Sequence, residues 1–117
     1  AVDDEADALE MVRRVLEEYG ASVRVASSVG DALDALEQEK FDALLSDIGM
    51  PKRDGYELIT EARRRGYGVP AAALTAFARS EDRTRALLAG YDAHVTKPVE
   101  ASELLATVLS LTSRGRR

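Results

Sequence analysis

The sequence predicts an α/β domain in which a five-stranded parallel sheet carries helices on both faces. Three observations support this fold class. Strand-like and helix-like segments alternate along the 117 residues, the central strand segments are short and continuously apolar, and reactive side chains follow several strands. Alternation at this spacing favours right-handed crossovers between parallel strands, because each helix returns the chain to the same end of the sheet.

The first half of the chain contains two helix patterns and two strand patterns. Apolar residues recur at helical spacing over residues 5–19, and Gly20 ends this helix. The segment 22–26 (SVRVA) alternates as a half-buried strand does, and Ser28 is placed to cap the next helix. The segment 43–46 (ALLS) is continuously apolar, which is typical of a central parallel strand.

The second half of the chain repeats this alternation. Apolar residues at helical spacing predict three helices, and short buried runs between them predict two strands. These elements are a helix over 56–65, a strand over 71–75 (AAALT), a helix over 80–89, a strand over 93–96 (AHVT) and a helix over 100–111.

Reactive side chains follow most of the predicted strands. A parallel sheet brings the carboxyl ends of its strands to one edge, where ligands bind. The flavodoxin-like strand order 2-1-3-4-5 would place the strand that ends at Ala26 at the side of the sheet, away from the crevice between the first and third strands. The residues at the other four strand ends are Asp3 and Asp4, Asp47, Thr75 and Lys97.

Composition sets broad limits on the function. The length fits one domain, and the absence of cysteine excludes disulfides, thiolate nucleophiles and thiolate metal sites. No apolar run reaches the ~18 residues of a membrane span, and the formal net charge of -5 argues against nonspecific nucleic-acid binding. We therefore expect a cytoplasmic domain that contacts neither a membrane nor nucleic acid.

The ends of the chain set the expected boundaries. We expect one domain over residues 1–113 and a basic tail or linker stub over 114–117 (RGRR). Only Ala1 and Val2 precede the acidic pair, so we expect the first strand to be truncated at its start.

The predicted cluster of Asp3, Asp4 and Asp47 needs a compensating charge. Two carboxylates at about 4 Å repel each other by roughly 1 to 4 kcal/mol, so either one stays protonated or a cation lies among them. Oxygen ligands select a hard ion, and Mg²⁺ suits a site with few protein ligands and several waters. Such an ion would let Asp47 attack a phosphoryl group and form an aspartyl phosphate. Lys97 could then pair with the phosphoryl oxygens, and the Thr75 hydroxyl could bond one of them.

Four segments resemble the signature segments of the receiver domain of two-component response regulators. They occur in the family's order over essentially the whole chain: AVDDE (1–5), LLSDIGMPKRDGYELI (44–59), ALTAF (73–77) and HVTKPVE (94–100). Several of these segments look most like receivers attached to hybrid sensor histidine kinases. The resemblance therefore implies a fragment of such a kinase or of a response regulator.

The resemblance also implies residue roles for phosphoryl transfer. Asp47 would be the phosphoacceptor. Asp4 would bind Mg²⁺ directly, Asp3 largely through water, and Gly49 through its backbone carbonyl. The phosphoryl donor would be a phosphohistidine on a histidine kinase or histidine phosphotransfer domain. The domain itself would catalyse only its own phosphorylation and dephosphorylation.

A conformational switch is the last implication of the resemblance. Thr75 and Lys97 would hold the phosphoryl group, and the Lys97–Pro98 bond would be cis. Thr75 would move toward the phosphate while the side chain at position 94 turns inward. The family usually has Tyr or Phe there, whereas this chain has His94, so the coupling would be weaker or pH-sensitive. The switching surface, which could also form a dimer, would comprise 80–89, 93–96 and 100–111.

Simpler roles exist for these residues. Asp47 could cap a helix, but the next helix begins about eight residues later. The acidic pair could favour the dipole of the first helix, and His94 is better explained as a partly buried packing residue than as a metal or catalytic group. Thr75 and Lys97 could be a satisfied hydroxyl and a solvated lysine, and Gly49 and Gly55 could be turn glycines.

Two other functions are compatible with these residues. A haloacid-dehalogenase-like phosphatase also uses Asp, Mg²⁺, a hydroxyl and Lys on a similar sheet, but its acidic pair comes late in the chain and its nucleophile follows the first strand. A docking module that keeps the receiver fold without phosphorylation is the second alternative, and the intact acidic pair argues against it.

Overall fold

Helices and parallel strands alternate along the chain in the computed structural model, which describes residues 1–50, 53–76 and 79–115. The helices are α1 (Ala6–Glu18), α2 (Val29–Gln38), α3 (Gly55–Arg64), α4 (Ser80–Ala89) and α5 (Ala101–Gly115). The regular strands within the described ranges are β1 (Leu44–Asp47), β2 (Ala71–Thr75) and β3 (Ala93–Thr96). This arrangement confirms the predicted α/β class with a parallel sheet.

The three strands pair in the order β1-β2-β3, and every pairing is parallel. Asp47 lies opposite Leu74, and Thr75 lies opposite Thr96. On the other side of β1, Val2 forms parallel bridges to both Ser46 and Ala26. Segments 1–2 and 22–26 thus pair with the sheet through isolated β-bridges and not as regular strands. The five-stranded order remains a prediction.

The predicted strand over 22–26 forms a single bridge, between Ala26 and Val2. The amide of Ala26 donates to the carbonyl of Ala1 at 2.9 Å, and the amide of Asp3 donates to the carbonyl of Ala26 at 3.1 Å. The alternating sequence pattern of 22–26 therefore indicates a segment beside the sheet, but the segment does not form a regular β-ladder.

The helices cover both faces of the sheet. One core contains side chains of α2, α3 and α4 together with Leu44, Ala71 and Ala73, and the other contains side chains of α1 and α5 with Leu45 and Ala72. Successive strand residues therefore point into different cores. Because both faces are buried, the strands are continuously apolar where a half-exposed strand would alternate.

The last helix continues through Gly115, so it extends into the segment 114–117 that the sequence assigns to a basic tail. Residues 116 and 117 lie outside the described residues. Within the described ranges, every helix is too short or too polar to cross a membrane.

Candidate functional site

The backbone of β1 brings the predicted carboxylates together. The amide of Asp47 donates to the carbonyl of Val2 at 2.8 Å, which places the end of β1 beside the acidic pair. Carboxylate oxygens of Asp3, Asp4 and Asp47 all lie within 4.8 Å of one another. Asp3 and Asp47 are only 4% and 6% exposed, whereas Asp4 is exposed. The structure thus assembles the acidic cluster that the strand ends predict.

Lys97 reaches this cluster from the end of β3. Its backbone amide donates to the carbonyl of Thr75 at 2.6 Å, which fixes its position on the neighbouring strand. Its ammonium Nζ donates to Asp47 Oδ1 at 2.8 Å and to Asp3 Oδ2 at 3.3 Å. The Lys97–Pro98 peptide bond is cis. Lys97 is therefore a partner of both buried carboxylates and not a solvated loop lysine.

The electrostatics of the cluster favour a further cation. With all three carboxylates ionised, one ammonium leaves a formal excess of two negative charges. Partial burial acts to lower the pKa of Lys97, but hydrogen bonds and charge interactions with Asp47 and Asp3 outweigh it and raise the pKa above 10.5. Lys97 therefore stays charged, and the remaining oxygen-rich pocket suits a hard divalent ion.

Asp3 is held more firmly than Asp4. One Asp3 oxygen accepts the backbone amide of Glu5 at 2.9 Å while the other accepts Lys97. Helix α1 begins at Ala6, so neither acidic residue lies in its first turn. Because Asp3 is engaged by the protein, the exposed Asp4 is the carboxylate of the pair with more freedom to approach a ligand.

Thr75 and His94 project from the same face of the sheet. Thr75 ends β2 and is buried, and His94 lies opposite Ala73, which points into the core formed with α2–α4. The imidazole is partly buried, and its Nε2 has no hydrogen-bond partner in the part of the chain that is described. Burial lowers the pKa of His94, the charge of Arg83 acts in the same direction, and Asp82 opposes them.

The loop after Asp47 is built around the carbonyl of Ile48. This oxygen accepts the amides of Met50 at 3.1 Å and Gly55 at 3.0 Å. The cap of α3 is Asp54, whose side chain accepts the amide of Glu57 at 3.0 Å. Asp47 is therefore not the helix cap, and its side chain remains in the carboxylate cluster.

The two glycines of this loop have different roles. A Cβ on Gly55 would lie 2.5 Å from the Asp47 carbonyl oxygen and 2.9 Å from Ile48 Cα, whereas a Cβ on Gly49 would meet nothing within 4 Å. Neither has the left-handed φ that a turn glycine needs. Close approach of two backbone segments therefore explains Gly55, while Gly49 lies on the exposed rim of the site.

A comparison with known protein families agrees with this geometry. Residues 1–109 match the family described as response regulator receiver domain. The chain belongs to this receiver domain family. The family assignment confirms the resemblance carried by the four sequence segments and selects it over the haloacid-dehalogenase-like alternative.

Related proteins support the same assignment. An uncharacterized 14.6 kDa protein of Leptolyngbya boryana is 46% identical over 109 residues, which are 92% of this chain and 83% of that protein. The response regulator MprA of Mycobacterium leprae is 37% identical over 116 residues, covering 99% of this chain and 51% of that protein. The receiver thus spans about half the length of the MprA and DltR regulators that it matches.

Solved structures agree on the fold. A CheY-like receiver domain protein of Methanospirillum hungatei superposes with a TM-score of 0.90 at 31% identity, covering 98% of this chain and 92% of that chain. The signal receiver domain of a signal transduction histidine kinase of Syntrophus aciditrophicus gives a TM-score of 0.88 at 29% identity, covering 99% and 89%.

One contact of this receiver has no signal in the sequence. The hydroxyl of Tyr91 donates to the backbone carbonyl of Gly55 at 2.7 Å, although the two residues are 36 positions apart. Tyr91 directly follows the glycine that ends α4, so its sequence context suggests only a loop residue.

Proposed function

We propose that this receiver domain accepts a phosphoryl group on Asp47 from a phosphohistidine of a histidine kinase or histidine phosphotransfer domain. The observation that carries the proposal is the Lys97 ammonium held 2.8 Å from Asp47 Oδ1 inside a cluster of three carboxylates. Receiver domains interact with histidine kinases or phosphotransfer proteins, so the family supports this class of partner.

In the proposed transfer, a carboxylate oxygen of Asp47 attacks the phosphorus of the phosphohistidine. A P–O bond forms, the P–N bond breaks, and its electron pair leaves with the imidazole nitrogen, which then takes up a proton. Lys97 pairs with an oxygen of the arriving phosphoryl group, since its Nζ already lies beside the acceptor oxygen. The Thr75 hydroxyl, at the end of the neighbouring strand, bonds another phosphoryl oxygen.

The carboxylate cluster fits Mg²⁺, which receiver domains generally bind at an acidic pocket. Asp4 would hold the ion directly, Asp3 largely through water, and Asp47 and the Gly49 backbone carbonyl would complete the protein ligands. All four offer oxygen atoms, which are the donors that Mg²⁺ prefers. When bound, the ion supplies positive charge that offsets the repulsion between the carboxylates and the incoming phosphoryl group.

The proposed output surface is formed by α4, β3 and α5. Phosphorylation would draw Thr75 toward the phosphoryl group and let His94 turn into the space it leaves. Leu88 on α4 and Leu109 on α5 are 84% and 66% exposed, so both helices of this surface carry apolar side chains in contact with solvent. A protein partner that bound this face, including a second copy in a dimer, would cover these side chains.

We also propose the context of the domain. Residues 1–113 would form the receiver in the strand order 2-1-3-4-5, and 114–117 would be a basic tail or linker stub, of which Arg114 and Gly115 continue α5. The domain would be cytoplasmic and would belong to a hybrid sensor histidine kinase or a response regulator. Similarity to the receiver of a histidine kinase supports the first kind of parent protein, and similarity to regulators such as MprA supports the second.

Phosphorylation by acetyl phosphate in the presence of Mg²⁺ tests the function. We expect uptake of one phosphoryl group per chain by intact-mass spectrometry and its loss in Asp47→Asn, with the fold unchanged by circular dichroism. Asp34→Asn, an exposed change on α2, is the matched control and should label normally.

Other outcomes of this experiment would contradict the proposal. Steady hydrolysis of varied phosphate esters would indicate a phosphatase. Absence of both Mg²⁺ binding and labelling would indicate a docking module with a receiver fold. Retained labelling in Asp47→Asn would show that another residue accepts the phosphoryl group.

A further inference from the structure

Tyr91 connects the far end of the sheet to the candidate site through the core. Its side chain is only 3% exposed and packs in the core formed with α2–α4. Its backbone amide donates to the carbonyl of Ala86 at 3.1 Å, and the next residue, Asp92, donates to the carbonyl of Ala71 at 2.7 Å. Hydrogen bonds thus hold the backbone on both sides of the Tyr91 side chain.

The hydroxyl of Tyr91 fixes the first residue of α3. It donates to the Gly55 carbonyl at 2.7 Å in a buried setting. Burial raises the pKa of this phenol far above 10.0, and the nearby Ser46 hydroxyl opposes that shift only in part. The phenol therefore remains a hydrogen-bond donor at neutral pH.

Gly55 in turn lies directly on the peptide that follows Asp47. A Cβ at this position would come within 2.5 Å of the Asp47 carbonyl oxygen, and the Gly55 amide donates to the Ile48 carbonyl at 3.0 Å. The Ser46 hydroxyl donates to the same Asp47 carbonyl at 3.0 Å and is fully buried. Any shift of Gly55 is therefore transmitted to the backbone of Asp47.

We propose that Tyr91 is a positioning residue for the phosphoacceptor, holding the start of α3 against the Asp47 peptide through its hydroxyl. This inference rests on the proposed function. The hydroxyl acts through Gly55 on the backbone of Asp47 and Ile48, which directly precede the proposed metal-ligating carbonyl of Gly49. Because positioning errors of an ångström reduce reactivity strongly, one buried hydrogen bond at this point affects the rate as well as the stability.

The test is Tyr91→Phe, which removes the hydroxyl and keeps the ring in the core. Tyr67→Phe is the matched control, since Tyr67 is partly buried against the same core but lies in the loop before β2. For Tyr91→Phe we expect the rate constant of labelling by acetyl phosphate to fall about three- to tenfold, the change expected for one lost buried hydrogen bond. We also expect weaker Mg²⁺ binding by calorimetry, with more than nine-tenths of the variant folded at the assay temperature.

Amide hydrogen exchange gives a readout that does not depend on phosphorylation. In Tyr91→Phe we expect faster exchange at Gly55 and Met50, whose amides are bonded to Ile48, with exchange at the start of β3 unchanged. If wild type is not labelled but this local effect appears, the proposed function fails while the positioning contact stands.

A purely structural role of Tyr91 would give different results. A lower unfolding midpoint with unchanged labelling rate, Mg²⁺ affinity and local exchange would overturn the proposal. If Tyr91→Phe does not fold under the assay conditions, the variant and wild type are both measured again in trimethylamine N-oxide, an osmolyte that favours the folded state. The same combination of slower labelling and faster exchange at Gly55 and Met50 is expected, and unchanged values would reject the proposal.

Discussion

Lys97 and Asp47 form a 2.8 Å ion pair between residues that are 50 positions apart in the sequence. The two residues lie at the ends of β3 and β1, on either side of β2. The Lys97 side chain is 29% exposed, so water screens the pair only in part. The ammonium stabilises the carboxylate cluster in the free domain and stands where a phosphoryl oxygen would be bound.

Replacement of Lys97 should separate its electrostatic and functional roles. We expect Lys97→Ala to lose about 1 to 3 kcal/mol of unfolding free energy in metal-free buffer, because Asp47 and Asp3 lose a charged hydrogen-bond donor. Mg²⁺ should restore much of this loss, and labelling of Asp47 should slow by more than about tenfold. Urea unfolding with and without Mg²⁺ measures the first effect. Lys40→Ala, in an exposed loop, is the control; an equal loss with and without Mg²⁺ would contradict the prediction.

Thr75 should be needed for the response more than for the chemistry. We expect Thr75→Ala to accept a phosphoryl group but to lose most of the structural response in α4 and β3, since it cannot bond the phosphoryl oxygen. Amide chemical shifts recorded before and after phosphorylation measure the response. Thr84→Ala, exposed on α4, should respond as wild type does. A full response in Thr75→Ala would refute the switch.

Gly55 should tolerate no side chain. We expect Gly55→Ala to cost about 1 to 3 kcal/mol of unfolding free energy, because the methyl group would be forced against the Asp47 carbonyl. Gly30→Ala is the matched control: it lies in α2 with nothing within 4 Å of the added carbon. That change should stabilise by roughly 0.5 to 1 kcal/mol. Similar effects of the two changes on denaturant unfolding would contradict this account.

His94 should titrate below its ordinary pKa of 6.5, because burial favours the neutral imidazole. The unfolded chain then binds a proton before the folded domain does as the pH falls. The stability that depends on His94 is therefore complete above pH 6.5 and declines as the pH drops through the folded pKa. His94 is the one histidine in the sequence, so its imidazole resonances can be followed directly by NMR. A measured pKa above 6.5, or an equal pH dependence in His94→Phe, would contradict this prediction.

The sequence was sufficient to predict the family and the residues of the carboxylate site. Asp3, Asp4, Asp47 and Lys97 lie at or just after the ends of strand segments, and parallel strands bring their carboxyl ends to one edge. Helix ends were also readable, since Ser28 caps α2 through its side chain and Gly20, with a φ of 90°, follows the end of α1. These are consequences of local chemistry and of strand direction, which short sequence patterns encode.

Other features depended on contacts between distant elements. Sequence pattern predicted a strand over 22–26, but a ladder requires a partner backbone in register and only Ala26 forms a bridge. The unequal burial of Asp3 and Asp4, the steric need for Gly55 and the bond from Tyr91 to Gly55 were decided in the tertiary structure. Each depends on the distance between atoms of separate elements after packing, which side-chain type and local periodicity do not specify.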